Sequence, residues 1–519
     1  MTVRFLETPL SAGASGDPRR VARLQAARRR DGALAAALLA DGAAAANVPR
    51  LLAAGSLAVT TGQQAGLFTG PLYAIHKALS AAALAKVMGE KGEGGEREIV
   101  PVFWVAGDDH DFAEINHCWV IGQDNKPAKI VLRERAAEAP MLPTYQERVG
   151  RDGAVALARL EELLPPGDAR SETLAWLARS YAGADISLAE ANARAMSELL
   201  GPFGVVVARG WSGALKRAAR GVFESASSRV HEIDEALAAR ARELKAAGRE
   251  IPVEVGDGLS LLMLEGAQGR DRLRLAGDAF VTRRGNERVA RDSLTRVLDS
   301  SPELLSANVL LRPVVEAAVF PTVAYFGGPG ELAYLEQADP LFALLGIPQP
   351  ARLPRLSGLL IESKVDKVLE KYQLAIADLA RDAGGLASQV ARASLPAGAV
   401  GALAELRGSI SERYAALQAE AMKMDRMLER PLTNLRNQAL VGSEKAERKL
   451  VRALKRQSDE MLQQVMRARN QLYPDGHPQE RTISAVSFLA RHGRAVLDQV
   501  FEAACAHARR LLEAPSART

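Results

Sequence analysis

Two apolar runs, each emptying into an unusual polar loop, constrain this chain more than any other feature. The first is Leu57-Ala-Val-Thr-Thr61, followed by Gly62-Gln-Gln-Ala-Gly-Leu-Phe-Thr-Gly70. The second is Ile99-Val-Pro-Val-Phe-Trp-Val-Ala106, followed by Gly107-Asp-Asp-His-Asp111 and then by Glu114, Asn116 and His117. Runs of this length read as buried strands. Pro71 suits the first position of a helix, where its missing N–H costs nothing, and that helix carries His76 and Lys77. Strand, loop, helix and strand make the rhythm of an open α/β fold, whose ligands bind at the carboxyl ends of its strands.

The glycine spacing, G-x3-G-x3-G, is neither a dinucleotide fingerprint nor a P-loop. It leaves two readings open: a tight turn, or a loop whose N–H groups and helix start receive a phosphate or carboxylate. The acidic cluster says more. Asp108, Asp109 and Asp111 repel one another unless a cation, a substrate amine or a shared proton offsets them. Capping by Asp109 or Asp111 with an ion pair for His110 is one reading. Metal ligation by His110, His117 and an Asp is another, although the spacing fits no zinc pattern. General-base work or binding of a substrate amine is the preferred one.

These same residues carry a resemblance. Thr61 to Lys77 and Phe103 to His117 closely resemble the bacillithiol biosynthesis cysteine-adding enzyme family. Asn308 to Glu316, Pro321 to Tyr334 and Leu472 to Arg481 agree with it, in the family's order and across nearly the whole chain. The resemblance implies a Rossmann-like parallel sheet with connecting-peptide insertions and a helical coiled-coil arm used in dimerisation. It implies a ligase that adds cysteine to glucosaminyl-malate, the last step to bacillithiol. Two positions depart from the family pattern: Glu316 stands where Gln is expected, and Asp108 where Glu is common.

On this basis His76, Asp109, His110 and Asp111 are expected to be catalytic. Gln63, Gln64, Asn116, His117, Arg312, Glu316 and Tyr334 are expected to bind substrate. Gly66, Gly70, Gly327, Gly328, Gly330 and Glu331 are expected to hold a nucleotide, while Glu331 could equally favour the positive start of its helix. Chemistry sets the rest: joining a carboxylate to an amine in water is uphill, so cysteine must arrive activated, by ATP with magnesium or by another donor. No metal site and no tightly bound cofactor are expected. His110, steered by Asp109 or Asp111, is the expected base, and Arg312 with the helix starts would take the malate carboxylates. His76 also falls where the last His of the class I synthetase His-Ile-Gly-His signature would lie, with Tyr73 at the first. That places His76 against a phosphate or its equivalent. A Lys-Met-Ser-Lys-Ser loop is missing; Pro354-Arg-Leu-Ser357 is the nearest remnant.

At 519 residues the chain exceeds one ordinary domain. Residues 1–364 are expected to form the core, with insertions at about 121–200 and 251–300. Phe203 to Ala208 is expected as a third core strand. Residues 365–472 should form the arm, and 473–519 should return to the core. Heptads through Val365, Tyr372 and Leu379, and through Leu403, Ile410, Leu417 and Met424, predict a coiled-coil seam. Pro396, Gly398 and Gly401 predict an antiparallel hairpin between the two runs, with a third helix from about Glu444 to Gln471. The alanine-rich stretch Ala33 to Ala46 reads as a packed helix and a loop. The formal net charge of +5 is mild for this length and gives no case for nucleic acid; the Arg28 to Arg30 run and the basic face of the third helix read as solvated. Two cysteines, Cys118 and Cys505, imply no disulfide framework and suit the cytoplasm. Cys118 is read as a small buried residue rather than a nucleophile, and no run reaches membrane-spanning length. A homodimer through the arm is expected. The rival readings are another adenylate-forming or nucleotidyl-transferring enzyme on a class I synthetase-like fold, and a non-catalytic dimeric scaffold.

Overall fold

Six strands form the central sheet: β1 (Leu38–Leu39), β2 (Leu57–Gln63), β3 (Ile99–Val105), β4 (Val206–Arg209), β5 (Thr322–Gly327) and β6 (Ala351–Pro354). This computed structural model describes residues 3–514 except Arg28, Glu96, Ala184 and Ser458; Arg28 of the expected charge run and the last five residues lie outside the described residues. The sheet order is β6-β5-β2-β3-β4-β1. All neighbours are parallel except β1, which pairs antiparallel with β4. From Leu57 opposite Ile99 to Gln63 opposite Val105, the register of β2 and β3 is unbroken. The chain leaves β2 for β3 and β4 on one side, then returns to β5 and β6 on the other. The carboxyl ends of β2 and β5 therefore flank a topological switch point, where a crevice opens.

Helix α1 (Tyr73–Glu90) follows β2 and is buried almost all round. It packs on the sheet and on the helix Val496–Glu513, which explains a sequence that is apolar on every side. Its start lies two residues beyond Pro71, which instead bridges to Ser484. After β4 come α2 (Gly213–Ala218) and two further helices, Arg220–Ser228 and Val230–Ala246. Residues 259–307 contribute a five-stranded antiparallel sheet, and residues 152–200 three helices. Helix α3 (Arg312–Val319) precedes β5, and α4 (Pro329–Gln337) follows it. The alanine-rich stretch departs from expectation: it makes two short 3-10 segments around β1. Pairing of Leu38 and Leu39 with β4 draws the backbone out of a helix.

The chain divides into two units, one of residues 3–360 with 480–514 and one of residues 361–479. The second unit is helical. Its long hairpin joins Ala397–Met424 to Glu429–Gln457. The turn lies at Asp425 to Leu428, not at Pro396 to Gly401, because the Asp425 carboxylate accepts the Met427 N–H at 2.8 Å and stops the helix there. Pro396 sits at the N-cap of Ala397–Met424, and the next helix begins at Glu429 rather than Glu444. Arg392 and Arg407 both pair with Glu447 across the helices. Leu403 is buried, but Leu406, Leu417 and Leu435 of the apolar seam stay exposed in the single chain. No helix among the described residues is long and apolar enough to cross a membrane.

Candidate active site

A cavity of about 510 Å³ opens at the carboxyl ends of β2, β3 and β5. Gly62 and Gln63 line it from β2, Trp104 from β3, and Gly328 to Glu331 from the loop and helix start after β5. Gly62 has to be glycine, because a Cβ there would lie 2.8 Å from the Trp104 carbonyl oxygen.

One wall is acidic. Asp108 and Asp109 line it just beyond β3, and Lys216 reaches it from α2. The buried Lys216 ammonium donates to Asp108 Oδ2 at 2.6 Å, while Asp108 Oδ1 is buried with no partner among the described residues. Asp109 is held by Gln64 Nε2 at 2.6 Å and by the His110 backbone N–H at 2.7 Å. Burial alone would raise the Asp109 carboxyl, but Arg270, Gln64 and His110 together hold it below the usual range. Beneath this wall the Glu265 carboxyl accepts from Tyr145 at 2.9 Å and from Gln146 at 2.6 Å, and burial pushes it up to about 7.

His110 departs from expectation. Arg270 Nη1 lies 3.4 Å from its Nδ1. Arginine can only donate, so Nδ1 is the acceptor and Nε2 carries the hydrogen of the neutral ring. Asp109 Oδ1 is 3.9 Å from that same Nδ1, too far for a hydrogen bond. The ring is therefore oriented by Arg270 rather than by an aspartate, and its basic nitrogen is already engaged. Burial and Arg270 lower its pKa, so it is neutral at pH 7. Asp111 caps the short helix Phe112–Ile115, accepting the Glu114 N–H at 3.2 Å, and does not line the cavity.

The middle of the cavity is a tight polar chain. The buried Lys77 ammonium donates to the Gly62 carbonyl, to Gln63 Oε1 at 3.0 Å and to Glu331 Oε1 at 2.7 Å. Gln63 Nε2 donates to the Tyr73 hydroxyl at 2.9 Å. Glu331 also accepts from Tyr325 at 3.0 Å and from the Gly328 N–H at 2.9 Å. Burial would raise Glu331, but Lys77 and the Gly328 N–H outweigh it and keep the carboxylate ionised. Arg312 lines the cavity with Nη1 on Glu316 at 2.6 Å and Nη2 on Tyr325 at 3.1 Å. The buried Glu316 carboxyl is thus matched by Arg312. Glu316 itself is buried behind the wall, and Tyr334 lines the cavity.

His76 does not reach this space. It is fully buried, with Nδ1 2.9 Å from Glu480 Oε2. Glu480 is also gripped by both Nη atoms of Arg355 at 2.8 and 2.7 Å. The first glycine loop is likewise turned inward. A Cβ on Gly66 would lie 2.7 Å from Gly70 Cα, and the Gly66 carbonyl accepts from Asn192 at 2.9 Å. The Gly70 and Leu72 N–H groups are spent on Leu67 and Ile483. Those glycines therefore make a tight turn, not a phosphate cradle. Gly327 packs on Leu332, so of the second loop only Gly328 to Glu331 meets the cavity. Asn116 donates to the Arg133 carbonyl at 2.8 Å and His117 sits on Asn116 at 3.1 Å, both away from the cavity. Among the described residues no group of three His, Cys, Asp or Glu side chains could hold a metal ion. Cys118 is buried and its thiol is pushed up to about 12.

The family model for the bacillithiol biosynthesis BshC N-terminal Rossmann-like domain matches residues 33–356, and that for its C-terminal coiled-coil domain matches residues 358–510. The chain belongs to the BshC family. A relative from Koribacter versatilis is 34% identical over 474 residues, 89% of this chain and 84% of its own length. One from Salinibacter ruber is 33% identical over 459 residues, 86% of this chain and 80% of its own. Both carry the name "Putative cysteine ligase BshC". The Rossmann-like sheet of this BshC-family chain thus puts Gln63, Gln64, Asp109, Arg312, Gly328, Gly330, Glu331 and Tyr334 around one cavity. It also brings in Asp108, of the acidic cluster, and Arg481, which with Glu480 and His477 was expected either to border the site or only to fix the base of the arm, and it adds Tyr73, Lys216, Arg270 and Arg355. Tyr73 and Asp108 stand inside recognised blocks. Arg481 closes the block Leu472 to Arg481, whereas Lys216, Arg270 and Arg355 lie outside every recognised block and only the fold carries them to the cavity.

Proposed function

We propose that this chain is a cysteine ligase that forms an amide between the carboxyl of cysteine and the glucosamine amine of glucosaminyl-malate, in the last step of bacillithiol biosynthesis. The observation that carries this reading is Asp108, which lines the cavity with Oδ2 held by Lys216 and Oδ1 unpartnered among the described residues. A buried carboxylate oxygen without a partner beside a cavity is costly until a donor reaches it, and a substrate N–H is such a donor. Cationic side chains, Arg312, Arg355 and Arg481, line the same cavity. A substrate bearing both an amine and carboxylates matches that pairing of charges.

In this mechanism Asp109, held ionised, pairs with the glucosamine ammonium, and Asp108 takes up one of its protons so that the neutral amine can attack. The C–N bond forms as the activating group departs from the cysteine carbonyl with the electrons of its C–O bond, and the second proton shed by the amide nitrogen leaves with that group. His110 does not line the cavity; it acts through Asp109, which its backbone N–H holds at 2.7 Å, while Arg270 holds its ring. The donor is cysteine activated by ATP with magnesium or supplied already activated. The Gly66, Thr69 and Gly70 N–H groups of the first glycine loop are bonded inside the protein and do not fit a nucleotide phosphate. We also propose that two copies join through the arm, where Leu406, Leu417 and Leu435 are exposed, and that the enzyme works in the cytoplasm, where buried thiols such as Cys118 and Cys505 stay reduced.

Mass spectrometry tests the reading. Purified protein is mixed with glucosaminyl-malate, cysteine, ATP and magnesium, beside controls lacking each. A product one cysteinyl unit heavier that needs ATP supports a self-sufficient ligase. Product only when cell extract is added supports a ligase with a separate donor. Absence of product in both cases contradicts the reading.

A further inference from the structure

Lys77, Gln63 and Tyr73 form a chain whose hydrogen positions can be worked out without seeing a hydrogen. Lys77 faces three acceptors: the Gly62 carbonyl, Gln63 Oε1 and Glu331 Oε1. Three acceptors need three N–H bonds, so the amine is present as ammonium, and ammonium has no lone pair to offer. Gln63 must therefore turn its oxygen to Lys77 and its NH2 to Tyr73, 2.9 Å away. The Tyr73 oxygen accepts that bond. Its own O–H has no acceptor among the described residues, and Tyr73 lines the cavity. Burial, with Glu114 and Glu331, pushes this phenol up to about 12, so it keeps its proton at neutral pH.

The surroundings say what that O–H meets. The Arg355 guanidinium lies over the Tyr73 ring, 5.5 Å from its centroid. Arg481, on the same cavity wall, is exposed and makes no side-chain hydrogen bond or ion pair among the described residues. A hydroxyl whose oxygen is already used as an acceptor and whose O–H is free, with an uncommitted guanidinium on the same cavity, is a receiver for a carboxylate, because what each has left to offer is a donor. We propose that the Tyr73 hydroxyl, aimed by the Glu331–Lys77–Gln63 chain, and Arg481 together bind a carboxylate of the acidic substrate. This rests on the ligase reading above for the identity of that substrate.

Calorimetric binding to the full-length protein, with glucosaminyl-malate as probe and methyl glucosaminide as the uncharged control, tests it. Tyr73→Phe removes one hydroxyl and should weaken glucosaminyl-malate binding by about 10- to 100-fold, the loss expected for one hydrogen bond to a charged group. Methyl glucosaminide binding should change less than about 2-fold, since an absent carboxylate cannot lose a partner. Gln63→Glu supplies an acceptor to Tyr73, turns the O–H away from the cavity and should reproduce the loss with Tyr73 intact. Arg481→Gln should weaken the acidic ligand selectively. Unchanged affinity in Tyr73→Phe, or equal loss on both ligands, would overturn the proposal. So would a fall in kcat at unchanged affinity, which would place the hydroxyl on the reacting carbonyl. If the wild-type protein makes product yet the variants bind normally, this inference alone fails; if it neither binds nor ligates, the ligase reading fails and takes the inference with it.

Discussion

Glu480→Gln should destabilise the sheet-bearing unit far more than an ordinary substitution. The Glu480 carboxylate, only 4% exposed, is bonded to His76 Nδ1 at 2.9 Å, two Arg355 nitrogens at 2.8 and 2.7 Å, Ser357 Oγ at 2.8 Å and the Gly358 N–H at 3.2 Å. Gln keeps the shape but offers one accepting oxygen, and it turns an NH2 toward donors. It also strands the Arg355 charge, 3% exposed, without its counter-ion. Breaking a buried pair this way costs about 3–5 kcal/mol. Urea unfolding followed by tryptophan fluorescence measures it in the right place, because Trp104, Trp119, Trp176 and Trp211 all belong to that unit. The sign with pH follows from the direction of the shift. Burial would raise the Glu480 pKa, but His76 and Arg355 depress it strongly. Its contribution is therefore complete above the unfolded value of about 4.3 and is lost as pH falls toward the depressed folded value. The gap between wild type and variant should hold from pH 8 to pH 5 and narrow only in stronger acid. A loss below about 1 kcal/mol at neutral pH, the scale of a single exposed ion pair, would refute the reasoning.

Asp108→Asn keeps the shape of the acidic wall but removes its proton acceptor, and should lower kcat by about 10²- to 10⁴-fold in a product assay; a change under about 3-fold would remove Asp108 from the chemistry. His110→Gln should cost less than Asp108→Asn in that assay, since the basic nitrogen of His110 is already engaged by Arg270; the reverse ranking would restore His110 as the base. Cys118 and Cys505 are buried, and burial raises both thiols; a thiol reagent should label neither in the native protein and both in urea, and rapid native labelling would contradict their packing. Light scattering should report a dimer for the wild type and a monomer for Leu406→Glu with Leu417→Glu, whereas a variant that stays dimeric would place the interface elsewhere.

Much of this architecture was legible because burial leaves a local trace. β2 and β3 announce themselves as apolar runs that end in polar loops. Val205 to Ala208 does the same for β4, and the loop Gly327 to Gly330 marks the end of β5. Their carboxyl ends locate the cavity, so Gln63, Asp109 and Glu331 could be found from sequence. What failed was inference from one residue's neighbours in the chain. The first glycine loop has the composition of an anion site, yet Ile483 and Asn192, far away in sequence, are what bond it. His76 has the position of a phosphate ligand, but Glu480, 404 residues away, holds it in the interior. Lys216 and Arg270 carry no local signal, since a lone cation in a helix or strand is usually solvated. The hairpin of the arm was misplaced because Pro396 and Gly398 look like a break, while the decisive stop is a single side-chain cap at Asp425.

The central claim is that one cavity takes an amine on its acidic wall and carboxylates on its cationic one. A crystal structure of the protein soaked with glucosaminyl-malate tests it most directly. The glucosamine nitrogen should lie within hydrogen-bond distance of Asp108 Oδ1, with a malate carboxylate against Tyr73 and Arg481. A ligand bound with these ends reversed, or bound outside the cavity, would contradict it.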